Sequence, residues 1–355
     1  MIMEKNHKKD PGDTEKLDGG ARRVRLEDIA SRCGTSLSTV SRALSGEKGV
    51  SQALRARILE VARAVRYSPA LEMGGSRIVL AVSQVAMLDY HRYQFSWYVL
   101  QGLKERAKVL GLDLVTHPLS DKGTQALTDL LNQDDIGGML ALTVDDPAIL
   151  DVVVNLKKPA VLVNSEDPLM RLSSVMPCNR SATRMAADYL VSHGHRDILF
   201  LTHPGRRTIE QRYEGWQESM HYFQLPCSEQ QVISVTDWLP ELAEQAVVSW
   251  FREKKRTCTA ILCANDSLAL GAINGLQRLG LAVPGDISIV GMNDLPQAEF
   301  ASPPLTTVHL PVQEIGVIAL ELLQDIIAGN VTIPRRIELA CAMVERQSVA
   351  ALKVS

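Results

Sequence analysis

From Ile78 onward the chain alternates short apolar runs with amphipathic stretches, and this alternation limits the possible folds more than any other feature. The apolar runs are IVLAV (78–82), LDLVTH (112–117), GGMLAL (137–142), AVLVN (160–164), DILFLT (197–202), ISV (233–235), TAILCA (259–264) and ISIVGM (287–292). Segments 96–110, 181–193 and 267–279 read as helices between them. Strands that are apolar along their whole length are covered on both faces, so the pattern implies parallel sheets flanked by helices, an α/β architecture. So many strands, in a chain of 355 residues, divide into two lobes rather than one sheet. In such sheets ligands bind beyond the carboxyl ends of the strands.

The residues just after those runs are polar or aromatic. Asn164 follows AVLVN, Asn265-Asp266 follow TAILCA, and Asn293-Asp294 follow ISIVGM. Arg212 lies in the segment after DILFLT, and Asp237-Trp238 follow ISV. Asn and Asp bridge neighbouring hydroxyls, Arg offers a fork of donors, and an indole covers C–H surface. Any one Asn or Asp here is equally well a cap for the next helix. Their convergence after several strands favours a binding cleft. The segment from Gln84 to Trp97 is expected to be a long aromatic loop, closing over a ligand or packing on a partner subunit.

Ahead of this body lies a basic head. Residues 21–77 hold eleven Arg/Lys against five Asp/Glu, a net +6, and the body from Ile78 carries −8 of the chain's net −3. A cationic head on an acidic body suggests a polyanion partner for the head alone. Three helices read there. The first is about Leu26 to Cys33, closed by Gly34, which tolerates positive φ. The second follows Thr35-Ser36, either of which can cap it, and the third runs from about Ser51 to Val65. Val40, Ala43 and Leu44 give the second helix a small apolar face. Its other positions carry short hydroxyls and Arg42, side chains that suit a helix laid in a major groove.

The run LEDIASRCGTSLSTVSRALSGEKGVSQALRARILEVARAVRYSP resembles the DNA-binding headpiece of the LacI/GalR repressor family. HGHRDILFL, RYEGW, AILCANDSLALGAINGLQRLGLAVPGDISIVGMND and SPPLTTVHLP resemble that family's core. The resemblance implies a helix-turn-helix over 21–68, a short hinge over 69–77, and a periplasmic-binding-protein-like effector and dimerisation domain over 78–345, after a disordered tail (1–20). Within the core, two Rossmann-like lobes would close on the effector, the N-lobe taking about 78–178 and 312–338, and the C-lobe about 179–308 and 339–345. Leu37, Ser38 and Arg42 would contact bases. Ser36, Thr39, Ser41, Ser51 and Tyr67 would hold phosphates. The hinge is shorter than the family's by more than one helical turn, and Gly74-Gly75 discourage a helix there. Leu71, or Met73, is the candidate minor-groove wedge, with a plain flexible linker as the alternative. Arg212, Trp238, Asn265 and Asn293 would touch the effector, with Asn164 in the same cleft. Sugar-binding relatives often carry Asp where this chain has Asn164 and Asn293, and at Cys178 before Asn179. Arg206 and Arg207 lie before Arg212, with His203 nearby, so a sugar acid or sugar phosphate is the expected effector; the alternative reads both arginines as solvated loop charges.

The expected function is that of a cytoplasmic, homodimeric repressor on double-stranded operator DNA, needing no cofactor or metal. Its DNA affinity would shift as the effector selects one lobe arrangement. The main rival is a solute or sugar receptor without a DNA-binding role. An enzyme is disfavoured by the lack of a GxSxG elbow, a Walker loop, or a GxGxxG after the first strand. The six cysteines include no CxxC pair, as for free thiols in a reducing compartment. His193 and His195 fit a helix-to-strand turn better than a metal site. No apolar run reaches the ~18 residues of a membrane span, and residues 1–20 carry no apolar core of a secretory signal.

Overall fold

A computed structural model describes residues 26–44, 49–64, 77–83, 90–119, 124–156, 158–253 and 258–352. The expected tail, most of the linker, and the predicted contacts Tyr67 and Leu71 lie outside the described residues. The chain divides into two compact units, Met1–Glu72 and Met73–Ser355.

The first unit contains α1 (Leu26–Cys33), α2 (Leu37–Leu44) and α3 (Gln52–Ala64). Gly34, at φ +63°, ends α1 and turns the chain into α2. The Ser36 hydroxyl accepts from Thr39 N (3.2 Å) and caps α2, and the Ser51 hydroxyl accepts from Leu54 N (3.3 Å) and caps α3. Ile29, Ala30, Cys33, Val40, Ala43, Ile58 and Ala62 form the small core where the three helices meet.

The second unit has two lobes. The first is a six-stranded parallel sheet in the order β11-β5-β4-β3-β1-β2. Its strands are β1 (Arg77–Ser83), β2 (Asp113–Leu119), β3 (Ile136–Leu142), β4 (Ala160–Val163), β5 (Ser173–Pro177) and β11 (Arg336–Leu339). Helices α4 (Tyr90–Leu110), α5 (Thr124–Leu131), α6 (Pro147–Asn155) and α12 (Val312–Ile327) cover it. The second lobe is a four-stranded parallel sheet, β7-β6-β8-β9. Its strands are β6 (Ile198–Thr202), β7 (Val232–Ser234), β8 (Ala260–Cys263) and β9 (Ser288–Val290). They carry α7 (Asn179–Ser192), α8 (Arg207–Tyr222), α9 (Pro240–Glu253), α10 (Asp266–Arg278) and the short α11 (Pro296–Glu299). The chain passes between lobes after β5, after β10 (Thr307–His309) and before β12 (Ala342–Val344); β10 and β12 pair antiparallel.

Three of the central strands, β4, β6 and β8, are buried along their whole length, and β1 and β3 along nearly all of theirs, as their continuous apolar runs require. β5 is buried along its whole length too, despite its sequence, SSVMP, because it sits between β4 and β11. One expectation needs correction: residues 90–97 are the first turns of α4, not a loop. Phe95, Val99 and Leu103 recur four residues apart on its inner face. Aromatic residues are mediocre helix formers, so packing rather than propensity extends this helix. Its crossing with α12 is close. A Cβ at Gly102 would fall on the backbone oxygen of Gln313, and one at Gly316 on that of Val99.

Candidate functional site

Two surfaces gather the residues singled out above. On the three-helix unit, Ser36, Leu37, Ser38, Ser41 and Arg42 are exposed at the start and along the outer face of α2, and Thr39 is half-buried. Leu37 is 45% exposed. The Ser36 hydroxyl lies 3.0 Å from that of Ser38 and 2.8 Å from that of Thr39, so three hydroxyls cluster at one helix N-terminus. Arg42 Nε donates to Ser38 O (3.3 Å), which lays the side chain back along the helix. Ser51 is exposed at the start of α3.

In the second unit, a cleft of about 410 Å³ opens at the carboxyl ends of strands of both sheets. Asn164, Arg206, Arg212, Trp238, Asn265 and Asn293 all line it. Arg207 does not; it pairs with Glu166 (3.0 Å), Glu210 (3.4 Å) and Glu214 (2.6 Å). Those carboxylates, Glu214 first, raise its pKa, while its side chain stays 38% exposed. Phe95 and Ser96, in the segment expected to close over a ligand, line the cleft from α4, and residues missed from sequence line it too: Thr143 after β3, Thr208 and Ile209 from α8, and Ser267 from α10. Of the missed residues, Thr143 carried a recognisable signal, since it directly follows the run GGMLAL.

Three non-glycine residues lining the cleft have positive φ: Thr143 (55°), Asn164 (52°) and Asn293 (125°). Such backbone persists only where the surroundings hold it, and it gathers at binding sites. Around Asn293 the holding group is Asp266, at the start of α10. Its carboxylate accepts from Leu295 N (3.0 Å) and the Thr307 hydroxyl (2.6 Å), pinning the 293–295 turn. Burial pushes this carboxyl up to about 6. Asn265 caps α10 by accepting from Leu268 N (2.8 Å), so here the capping role and the lining position coincide.

Arg212 is the most buried cation of the cleft, 4% exposed. Its Nε donates to Asn179 Oδ1 (2.8 Å), and its Nη1 donates to Ala264 O and, at 3.5 Å, to Asn293 Oδ1. All three acceptors are neutral, and desolvation brings the guanidinium down to about 10. Asp237 is the single carboxylate among the described lining residues. Asn164, 5% exposed, leaves its Oδ1 buried without a hydrogen-bond partner. Trp238 stands edge-on to His203 (4.9 Å), whose Nδ1 donates to Val235 O (3.0 Å). The cleft thus offers a buried cation, an unmet acceptor, several hydroxyls and the aromatic faces of Trp238 and Phe95.

Away from the cleft, His193 ends α7. His195 is buried between the Thr259 hydroxyl (3.0 Å) and Ala350 O (3.1 Å), which ties down the chain's last described residues. Among the described residues no three His, Cys, Asp or Glu side chains gather as a metal site, and no helix is long and apolar enough to cross a membrane.

The bacterial regulatory proteins, lacI family, match residues 25–70, and the periplasmic binding protein-like domain family matches residues 187–349. The HTH-type transcriptional repressor PurR of Proteus mirabilis is 28% identical over 334 residues, 92% of this chain and 96% of that protein. PurR of Photorhabdus laumondii is 27% identical over 331 residues, 91% of this chain and 96% of that protein. Among solved structures, the complex of the transcriptional regulator CelR with cellobiose superposes with a TM-score of 0.70 at 25% identity, covering 92% of this chain and all of that one. The lac repressor dimer bound to operator and the anti-inducer ONPF superposes with a TM-score of 0.68 at 26% identity, covering 93% of this chain and all of that one.

Proposed function

The chain belongs to the LacI family of DNA-binding transcriptional repressors and has a ligand-binding domain, and from that premise we propose that its operator affinity is set by a small, anionic, carbohydrate-like effector held between the two lobes. Arg212 carries the anion part of this reading. It is buried, its hydrogen-bond acceptors are neutral, and its charge is costly in that position until an anion offsets it. The buried acceptor of Asn164 calls for a donor such as a ligand hydroxyl. The indole of Trp238 and the ring of Phe95 offer surface for C–H faces. CelR, solved with cellobiose, supports a carbohydrate-like ligand for this fold.

On the DNA side, Leu37, Ser38 and Arg42 take the role of base readers. Ser36, Thr39, Ser41 and Ser51, with Tyr67, take that of phosphate contacts, the capping hydroxyl of Ser51 keeping its proton to donate. The chain acts as a homodimer, because two heads are needed to read two half-sites one helical turn apart. The effector works by differential affinity for two lobe arrangements, and a coupling of about 1–3 kcal/mol is enough for regulation. A receptor without a DNA-binding role leaves the headpiece of residues 26–64 without a purpose.

Thermal-shift screening of neutral sugars, sugar acids and sugar phosphates tests the effector class. A ligand at about a hundred times its Kd adds about 2.7 kcal/mol, or roughly 5 °C in melting temperature. Stabilisation by acidic members is the expected result. Stabilisation by neutral sugars alone overturns the anionic reading.

A further inference from the structure

The two lobes are joined by side chains as well as by chain crossings. Arg206, just before α8 in the second lobe, reaches over to the first: its Nε donates to Asp145 Oδ2 (2.6 Å) after β3, and its Nη2 to Asn164 O (2.7 Å) after β4. Arg207 Nε donates to Glu166 Oε1 (3.0 Å), and Gln211 Nε2, one turn along α8, donates to Glu166 Oε2 (3.1 Å). Glu166 is only 4% exposed and is held within its own lobe by Arg336 (3.2 Å). Beside the lining residue Phe95, Gln297 of the second lobe donates to Gln94 of the first.

We infer that the start of α8 is an electrostatic latch that holds the lobes together before any effector arrives, with Asp145 and Glu166 as its positioning residues. It gives Arg206 and Arg207 a role that sequence reasoning assigned to ligand contact. Arg206 lines the cleft, but its guanidinium is already engaged with a carboxylate and a carbonyl of the opposite lobe. Arg207 is outside the lining altogether. The latch is suited to a switch because it is nearly balanced. Opening the lobes returns Asp145 and Glu166 to water, so much of what the pairs contribute is offset by desolvation. The Arg206 and Asp145 side chains keep 28% and 20% of their surface exposed, so dissolved ions reach the pair and weaken it. A protein latched in this way holds its ligand-binding arrangement already populated, which raises apparent effector affinity by the fraction closed. The inference builds on the reading of the cleft as the effector site, but its test needs no effector and stands or falls separately.

The test is double electron–electron resonance on the ligand-free full-length chain, with spin-labelled unnatural amino acids at exposed Ala126 on α5 and exposed Gln230 in the second lobe. The variant is Asp145→Asn with Arg207→Gln, which removes one charge from each half of the latch and leaves Glu166 with Arg336. Wild type is expected to show a short interlobe distance at about 0.1 M salt. A longer population should grow at least tenfold relative to the short one as salt rises to about 1 M, where the Debye length falls from about 10 to 3 Å. The double variant should show the longer population already at low salt, with little further response. Identical distances and salt responses in wild type and variant overturn the latch. If the variant does not fold, the wild-type series decides alone, because a distance insensitive to salt overturns it equally.

Discussion

Replacing Arg212 with methionine separates what this side chain does for the fold from what it does for the ligand. Burial brings the guanidinium from its ordinary 12.5 down to about 10, which at about 1.4 kcal/mol per tenfold is about 3 kcal/mol of unfavourable desolvation. Methionine fills similar space and removes that cost. It also strands the acceptors Asn179 Oδ1 and Ala264 O, at about 1–3 kcal/mol each. The two effects nearly cancel, so the melting temperature of the ligand-free variant should stay within about 5 °C of wild type. Binding behaves differently. A ligand anion loses its charge-assisted hydrogen bonds, about 1.5–3 kcal/mol each, so two of them amount to a loss of at least a hundredfold in effector Kd. The assay is calorimetric titration with the acidic ligand found by thermal shift, beside melts of both proteins. Wild-type affinity in Arg212→Met would refute the reasoning, since no other cation in the cleft is both buried and free of a carboxylate bond among the described residues.

Three further outcomes follow from the same structure. Arg42→Ala should weaken operator binding by about 1–3 kcal/mol and flatten discrimination between the operator and single-base variants; anisotropy titrations against both would register it, and unchanged discrimination removes Arg42 from base reading. Gly102→Ala and Gly316→Ala should each cost about 1–3 kcal/mol in urea denaturation, because the added methyl meets backbone across the α4–α12 crossing; wild-type stability would mean the helices can part freely. Asp266 is pushed up to about 6 by burial, above its ordinary 3.8, so the folded chain holds this proton more tightly than the unfolded one. Its contribution to stability is whole below about pH 4 and is lost as pH rises through about 6, a change of up to about 3 kcal/mol. The stability difference between wild type and Asp266→Asn should therefore vary between pH 4 and pH 7, and a constant difference contradicts the assignment.

The sheets were legible in the sequence because buried parallel strands must be apolar on both faces, and IVLAV, GGMLAL and AILC are. β5 carries no such signal: Ser173 and Ser174 are buried by their position between strands, not by their chemistry. The first turns of α4 were misread as a loop because aromatic residues crowd there, whereas the four-residue spacing of Phe95, Val99 and Leu103 was the better guide. In the cleft, residues directly after strands could be found from spacing alone, as with Asn164, Asn265 and Asn293. Phe95 and Ser96 were legible only as part of the segment expected to close over a ligand, and a helix rather than a loop brings them in from the side. The roles of Arg206 and Arg207 were hidden for a different reason. A charge run says nothing of its partners, and theirs, Asp145 and Glu166, lie some forty to sixty residues away on the other lobe.

The most direct test of the account is operator affinity with the cleft empty and full. Anisotropy titration of the full-length chain on a fragment selected from its own genomic DNA, with and without the saturating acidic ligand, should give Kd values that differ by about 5- to 150-fold. A ligand that fills the cleft, as judged by its loss in Arg212→Met, yet leaves operator Kd unchanged would contradict the claim that lobe arrangement governs DNA binding.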